Sequence, residues 1–319
     1  MGGHKKSFFI SKNQVIFLIL KIKPQAPFNF DLSAKIFSNG DHEIQRYQEG
    51  VYWKLINLKT KLVFIELRSL GEVDNPELSL KVTADVHLTN KDISLVRSKV
   101  VSMFNLDFKL QNFYDDVKND QVMVKIIRKL RGLNTTTTPT FFEAVVLSII
   151  EQQISFKAAQ AIQYRMIKEF GNHIKLGNKI YYSFPTVNNL AKLHQTDLRS
   201  CGLSFRKSEY IIDFSKEIIA GNINLGEMKK LKTSELIDKL LKIRGIGIWT
   251  AELSVLRGLH RLVALPADDL GIKRAVSHYY TNNEPVSSDE LLKIGKNWGK
   301  WRGLAAYYLI RADLMSLKI

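Results

Sequence analysis

The sequence predicts an α+β N-terminal domain, an antiparallel sheet plus a helix, followed by an all-α body. Three observations predict this. Extended, alternating apolar patterns dominate up to about residue 112, apolar residues recur every three or four positions beyond it, and 319 residues suffice for two domains. The expected domains are therefore residues 1–112 and 113–319, with two lobes in the second a further expectation. With 45% hydrophobic and 24% charged residues, each half can bury a core without disulfide staples.

In the first half, residues 15–20 form an apolar run between Lys12 and Lys21 that is too short for a membrane span or a signal-peptide core. It reads as a buried strand. Residues 28–37 and 42–47 flank Ser38-Asn39-Gly40-Asp41, and Asn-Gly between two extended runs is a strong hairpin signal. A second hairpin joins residues 51–58 to 61–67 at Lys59-Thr60, and residues 80–86 supply another strand. From Lys91 the period changes: Ile93, Val96, Val100 and Met103 make an amphipathic helix that Asn90 can cap.

In the second half nearly every segment reads as helix. Phe142, Val145, Ile149 and Ile150 form one stripe; Ala159, Ile162, Met166 and Phe170 form another after the capping Ser155. Ile211, Phe214 and Ile218, then Leu236, Leu240 and Leu241, then Leu304, Tyr308, Ala312 and Met315 keep the same spacing. Gly171, Gly202, Gly221 and Pro266 punctuate the series, and Thr135 to Pro139 reads as a connector.

The charge balance is the unusual feature of the composition. Lys plus Arg number 47 against 31 Asp plus Glu, a net +16, which points to a polyanionic partner, nucleic acid first and an anionic membrane second. Cys201 is the only cysteine, excluding an internal disulfide, an all-cysteine zinc site and a four-cysteine iron–sulfur cluster. The seven histidines show no zinc-hydrolase spacing. A cytoplasmic location is expected.

The richest segment runs from Leu240 to Ala251. One apolar stripe ends at Leu241 and another starts at Trp249, and Gly245-Ile246-Gly247 between them permits a tight reversal that Ile246 can plug. Such a turn presents backbone amides at a helix start, where a phosphate can bind without any base being read. Some 20 residues on, Asp268 and Asp269 stand where a helix carrying Ile272, Val276 and Tyr279 or Tyr280 begins. A capping aspartate is the bland reading; a catalytic one is favoured by the basic chain and the nearby hairpin.

These stretches, with Ile149 to Ser155, Pro266 to Gly271 and Trp298 to Arg302, resemble the helix-hairpin-helix DNA glycosylase superfamily, most of all the 3-methyladenine DNA glycosylases of the AlkA type. The motifs span residues 140–312; upstream only the pattern of the N-terminal domain is similar. The resemblance implies Asp269 as the catalytic aspartate, because it directly precedes Leu-Gly, with Asp268 as the fallback. It implies DNA contacts at Gly245, Ile246, Gly247 and Thr250, and the basic residues Arg244, Lys273 and Arg274 cluster around these motifs as candidate phosphate contacts. Gln153 lies where the family inserts a side chain into the hole left by an extruded base.

Trp249 occupies the position at which strand-cleaving branches carry a nucleophilic lysine, so base removal without a Schiff base is implied. The base pocket is expected at Trp249, Leu253 and Tyr308, with Leu253 where some members have a tyrosine. No cofactor and no catalytic metal are expected; the Ile243 and Gly245 carbonyls are a candidate seat for a monovalent cation. The expected partner is duplex DNA carrying damaged bases, bound by a monomer and not at a membrane. The expected activity is hydrolysis of the N-glycosidic bond of alkylated bases. The alternatives are a glycosylase for 8-oxoguanine or hypoxanthine, or a DNA-binding protein without catalysis.

Overall fold

Alternation along the N-terminal strands puts one row of side chains against a helix. In the computed structural model, which describes residues 7–10, 16–58 and 60–319, six antiparallel strands form one sheet in the order β1-β2-β6-β5-β4-β3. They are β1 Ser7–Ile10, β2 Ile16–Ile22, β3 Gln45–Gln48, β4 Val51–Leu58, β5 Lys61–Ser69 and β6 Leu78–Ala84. Leu20 lies opposite Leu80 and Leu55 opposite Phe64, which fixes the register. Val15 and Lys59, assigned above to a strand and a turn, lie outside the described residues.

Two expectations are corrected here. Residues 28–37 are not a strand: α1 (Phe30–Ala34) continues into a 3-10 turn over Lys35–Phe37. Asn29 caps α1, and Phe30, Ser33 and Ala34 are all buried, so a helical stripe outweighs the Asn-Gly hairpin signal. Gly40 serves close approach instead, since a Cβ there would stand 2.1 Å from the Gln45 carbonyl oxygen. Strand β2, expected to be a buried strand, is also not wholly buried, because Leu18, Leu20 and Ile22 face inward while Ile19 is exposed.

Helix α2 (Asn90–Phe104) covers the sheet with Ile93, Val96, Val100 and Met103. Its cap is Thr89, one residue before the expected Asn90, in a reciprocal capping box with Asp92.

The helical half holds two separate apolar clusters. The first gathers α5 (Phe141–Glu151), α6 (Phe156–Phe170), α7 (Val187–Ala191), α8 (Gln195–Ser200), α9 (Phe205–Ile219), α10 (Leu225–Met228), α11 (Thr233–Leu241) and α12 (Ile248–Leu259). The second gathers α3 (Leu110–Asp116) and α4 (Gln121–Lys129) with α13 (Leu270–Tyr280), α14 (Ser288–Gly295) and α15 (Arg302–Leu314). The chain crosses from one to the other after α12, with Ala264 in the first cluster and Leu262 and Leu265 in the second. Asp268 and Asp269 follow that crossing directly.

One departure from helix was not anticipated: β7 (His173–Leu176) and β8 (Lys179–Tyr182) form a hairpin around Gly177, whose φ is +62°. Ile174 packs on Leu55 and Phe64, covering the sheet face away from α2. A second tie is the ion pair between Lys54 of β4 and Glu143 of α5, with Nζ 3.1 Å from Oε1 and both side chains 6% exposed. Breaking one partner of such a pair strands a buried charge, so it holds sheet and helices in one arrangement.

Candidate active site and nucleic-acid interface

Helices α11 and α12 are joined by the turn that the two glycines predict. Gly245 has φ +86°, and a Cβ there would lie 2.2 Å from the Tyr210 ring, so both conformation and space demand glycine. Ile246 is buried and plugs the gap. Gly247 is different: it caps α12 with φ −89° and nothing within 4 Å of a Cβ position. It supplies no side-chain cap, so the first amides of α12 have no intrahelical acceptor and stand at the positive end of the helix dipole.

Asp269 caps α13. Its Oδ1 accepts the Ile272 amide at 3.0 Å and its Oδ2 accepts the Trp249 indole N–H at 3.1 Å. The indole bond crosses from the first turn of α12 to the start of α13, tying the carboxylate to the helix that follows the Gly245–Gly247 turn. Each oxygen keeps a lone pair, and Asp269 is only half-buried. Asp268 is exposed and turned elsewhere, taking the Ser288 hydroxyl at 2.5 Å with Lys273 at 3.8 Å.

Not every residue singled out from the sequence joins this group. Trp249 and Leu253 are both half-buried one helical turn apart on α12, and Trp249 bonds Asp269. Tyr308 does not reach it. That side chain is fully buried among Leu110, Phe113 and Leu133, and its hydroxyl donates to the Leu133 carbonyl at 2.6 Å and pairs with Tyr114 at 3.0 Å. The spacing of α15 makes Tyr308 part of the core stripe, and a buried phenol must find a partner there. Thr250 is also buried, its hydroxyl taken by the Gln152 amide at 2.8 Å, so only its backbone belongs to the exposed turn.

The three basic candidates are all paired within the chain. Arg244 bonds Glu209 at 2.8 Å and lies over the Tyr210 ring, Arg274 bonds Asp313 at 2.8 Å, and Lys273 faces Asp268. Partly exposed pairs of this kind are worth up to about 1 kcal/mol each.

Gln153 is exposed at the turn between α5 and α6 with φ +53°, flanked by the exposed Ile154 and Phe156. An L side chain in that left-handed region costs about 1–2 kcal/mol, so the turn is held by its neighbours. They are residues that sequence reasoning missed. Gln152 donates to the Gly245 carbonyl and to Thr250, each at 2.8 Å, and Lys207 Nζ donates to the Ile150 and Gln152 carbonyls at 2.9 and 2.6 Å. Only tertiary packing brings α9 to that turn, so no local signal could have found Lys207.

Glu252 was also missed. It lies one helical turn after Trp249, and burial pushes its carboxyl up to about 7; the Leu265 amide and Arg302 oppose the shift and Asp268 adds to it.

Comparison with known proteins agrees with this geometry. Residues 146–300 match the model of the HhH-GPD superfamily base excision DNA repair protein family. The chain is 30% identical over 290 residues to the DNA-3-methyladenine glycosylase of Bacillus subtilis, covering 88% of this chain and 93% of that protein. The solved 3-methyladenine DNA glycosylase of Archaeoglobus fulgidus superposes with a TM-score of 0.82 at 28% identity, over 93% of this chain and 99% of that one. A Schizosaccharomyces pombe 3-methyladenine DNA glycosylase solved with abasic DNA matches 70% of this chain and 100% of its own, with a TM-score of 0.51 at 25% identity. A glycine-built turn between two helices, an aspartate bonded to the first turn of the second and likeness along nearly the whole chain have one common explanation: the chain belongs to the HhH-GPD superfamily of base excision DNA repair proteins.

Proposed function

We propose that the chain is a DNA glycosylase that extrudes alkylated bases of the 3-methyladenine type from duplex DNA and hydrolyses their N-glycosidic bond, with Asp269 as the catalytic carboxylate. The observation that carries this reading is the double tether of Asp269, to the Ile272 amide and to the Trp249 indole beside the phosphate-binding turn. The names of the B. subtilis and A. fulgidus relatives support the substrate class, and the abasic DNA bound by the S. pombe relative supports DNA as partner.

Extruding a base costs a few kcal/mol, less when it is damaged or mispaired. The glycosidic C–N bond then breaks with its electron pair leaving on the base, and positive charge develops on the sugar. A carboxylate fixed nearby stabilises that charge without reorganising, and it can accept a proton from the water that adds to the anomeric carbon. Bases alkylated on a ring nitrogen are cationic and leave well, and the Trp249 face favours a cation by about 0.5–2 kcal/mol. Gln153 is the side chain placed to fill the gap in the stack. The first amides of α12, with Arg244, Lys273 and Arg274, supply phosphate contacts.

We further infer that the enzyme does not cleave the strand, because Trp249 stands where a nucleophilic lysine is needed. The Ile243 and Gly245 carbonyls suit a monovalent cation in chemistry, being neutral oxygens at a turn; each already accepts one hydrogen bond, from the Ile246 amide and from Gln152. One lone pair remains on each, and a bound cation would add positive charge beside a phosphate.

Single-turnover rates on duplexes carrying one methylated purine, one hypoxanthine or one 8-oxoguanine test the substrate class, with the methylated purine expected fastest. An 8-oxoguanine duplex reacting fastest would overturn it, and no base release from any duplex would leave only a binding protein. Efficient borohydride trapping of a covalent DNA adduct would overturn the reading that strand cleavage is absent.

A further inference from the structure

Three contacts converge on α9. Lys207 holds the end of α5 through two carbonyls, Tyr210 fills the space beneath Gly245, and Glu209 pairs with Arg244. Gln152 closes the loop from the other side, its amide reaching from the α5–α6 turn to the Gly245 carbonyl and the Thr250 hydroxyl. The exposed Gln153 and the phosphate-binding turn are therefore parts of one tethered unit with α9 as its base.

We propose that Lys207 is a positioning residue that sets the distance between the wedge at Gln153 and the backbone anchor at Gly247, and so governs base extrusion but not duplex binding. This rests on the proposed function, which assigns both ends of the unit. The half-buried ammonium spends two of its three donors on carbonyls at the C-terminal end of α5, where a cation is also favoured by the helix dipole. Without it those carbonyls lose their partner, and only the Gln152 side-chain bonds are left to oppose relaxation of the left-handed Gln153 backbone. The wedge then meets the base stack out of register while the amides of α12 still grip the phosphate.

The test compares wild type, Lys207→Met and Gln152→Leu in the full chain. Extrusion is read by the fluorescence of 2-aminopurine placed beside a single 7-methylguanine, in an Asp269→Asn background in which base release is blocked. Single-turnover release is read with Asp269 intact. The expected result for both variants is a lost fluorescence change and a release rate lower by about 10- to 100-fold, the scale of misplacement effects remote from the chemistry. Affinity for an undamaged duplex should stay within about twofold, because phosphate contacts carry it.

Lys207→Arg, which keeps a cationic donor, should recover part of the rate. Unchanged extrusion in Lys207→Met overturns the proposal. So does a parallel fall in undamaged affinity with a salt slope reduced by about 1, which would make Lys207 a phosphate contact. Gln152→Leu leaves Lys207 in place, so a normal signal there in a folded protein also counts against the tethered unit. A wild-type protein inert on every damaged duplex removes the proposed function first and takes this inference with it, a failure visible before any variant is compared.

Discussion

Replacing Asp269 by asparagine removes a negative charge and almost nothing else. The carboxylate now accepts two hydrogen bonds, from the Ile272 amide at 3.0 Å and the Trp249 indole at 3.1 Å. Asparagine can satisfy only one with its single oxygen and presents its NH2 to the other donor, so about 1 kcal/mol of stability is lost. That leaves the fold intact. The kinetic effect is larger: a unit charge about 4 Å from a developing cation, at an effective dielectric of about 20, contributes about 4 kcal/mol. Removing it lowers the single-turnover rate by about 1,000-fold.

Affinity for undamaged duplex should stay equal or rise, since one repulsion toward phosphate is gone. The assay is single-turnover release of free methylated base from a duplex under saturating protein, beside a binding titration. Asp268→Asn is the control, because Asp268 is exposed and engaged by Ser288 and Lys273. A rate for Asp269→Asn within about threefold of wild type refutes the electrostatic argument. Loss in Asp268→Asn alone moves the role one residue.

The two glycines of the turn separate fold from function. Gly245→Ala, with φ +86° and the Tyr210 ring at 2.2 Å, should cost about 2–4 kcal/mol in urea melts. Gly247→Ala has open space around its Cβ, so it should cost only about 0.5–1 kcal/mol, the N-cap preference for glycine over alanine, yet weaken binding to damaged and undamaged duplex alike; a defect confined to damaged sites would contradict the phosphate assignment. Tyr308→Phe loses the bonds to Leu133 and Tyr114, so stability should fall by about 1–2 kcal/mol with base specificity unchanged, and altered specificity would return Tyr308 to the pocket. Glu252 provides a pH test. Its folded carboxyl titrates at about 7, above the ordinary 4.5, so its neutral form stabilises fully below pH 4.5 and that contribution disappears as pH rises to about 7. Glu252→Gln should therefore be more stable than wild type at pH 8 by about 1 kcal/mol after discounting for solvent screening, with the advantage fading toward pH 4 in urea melts; an advantage independent of pH would refute the assignment.

Local patterns determined a good deal of this molecule. The period change near residue 90, the reversal at Gly245-Ile246-Gly247 and the capping position of Asp269 were all legible, because backbone geometry and capping act over a few neighbouring residues. The resemblance carried by the same stretches named the family. Tertiary structure decided the rest. An Asn-Gly signal gave way to α1 because burying Phe30, Ser33 and Ala34 on one face contributes more than a favourable turn. Tyr308 left the predicted pocket because α3 and α4 bring Leu110, Phe113 and Leu133 around it. Lys207 had no signature, and Gln152, though inside the Ile149–Ser155 stretch, gave no sign of its role, since their partners lie 55 or more residues away along the chain in every bond that matters. Glu252 became a neutral-range acid only because the folded chain buries it, against the opposing pull of the Leu265 amide and Arg302. Helical spacing records which side of an element is apolar; which other element covers it is a property of the assembled chain, and there the burial of Glu252 and the backbone of Gln153 are set.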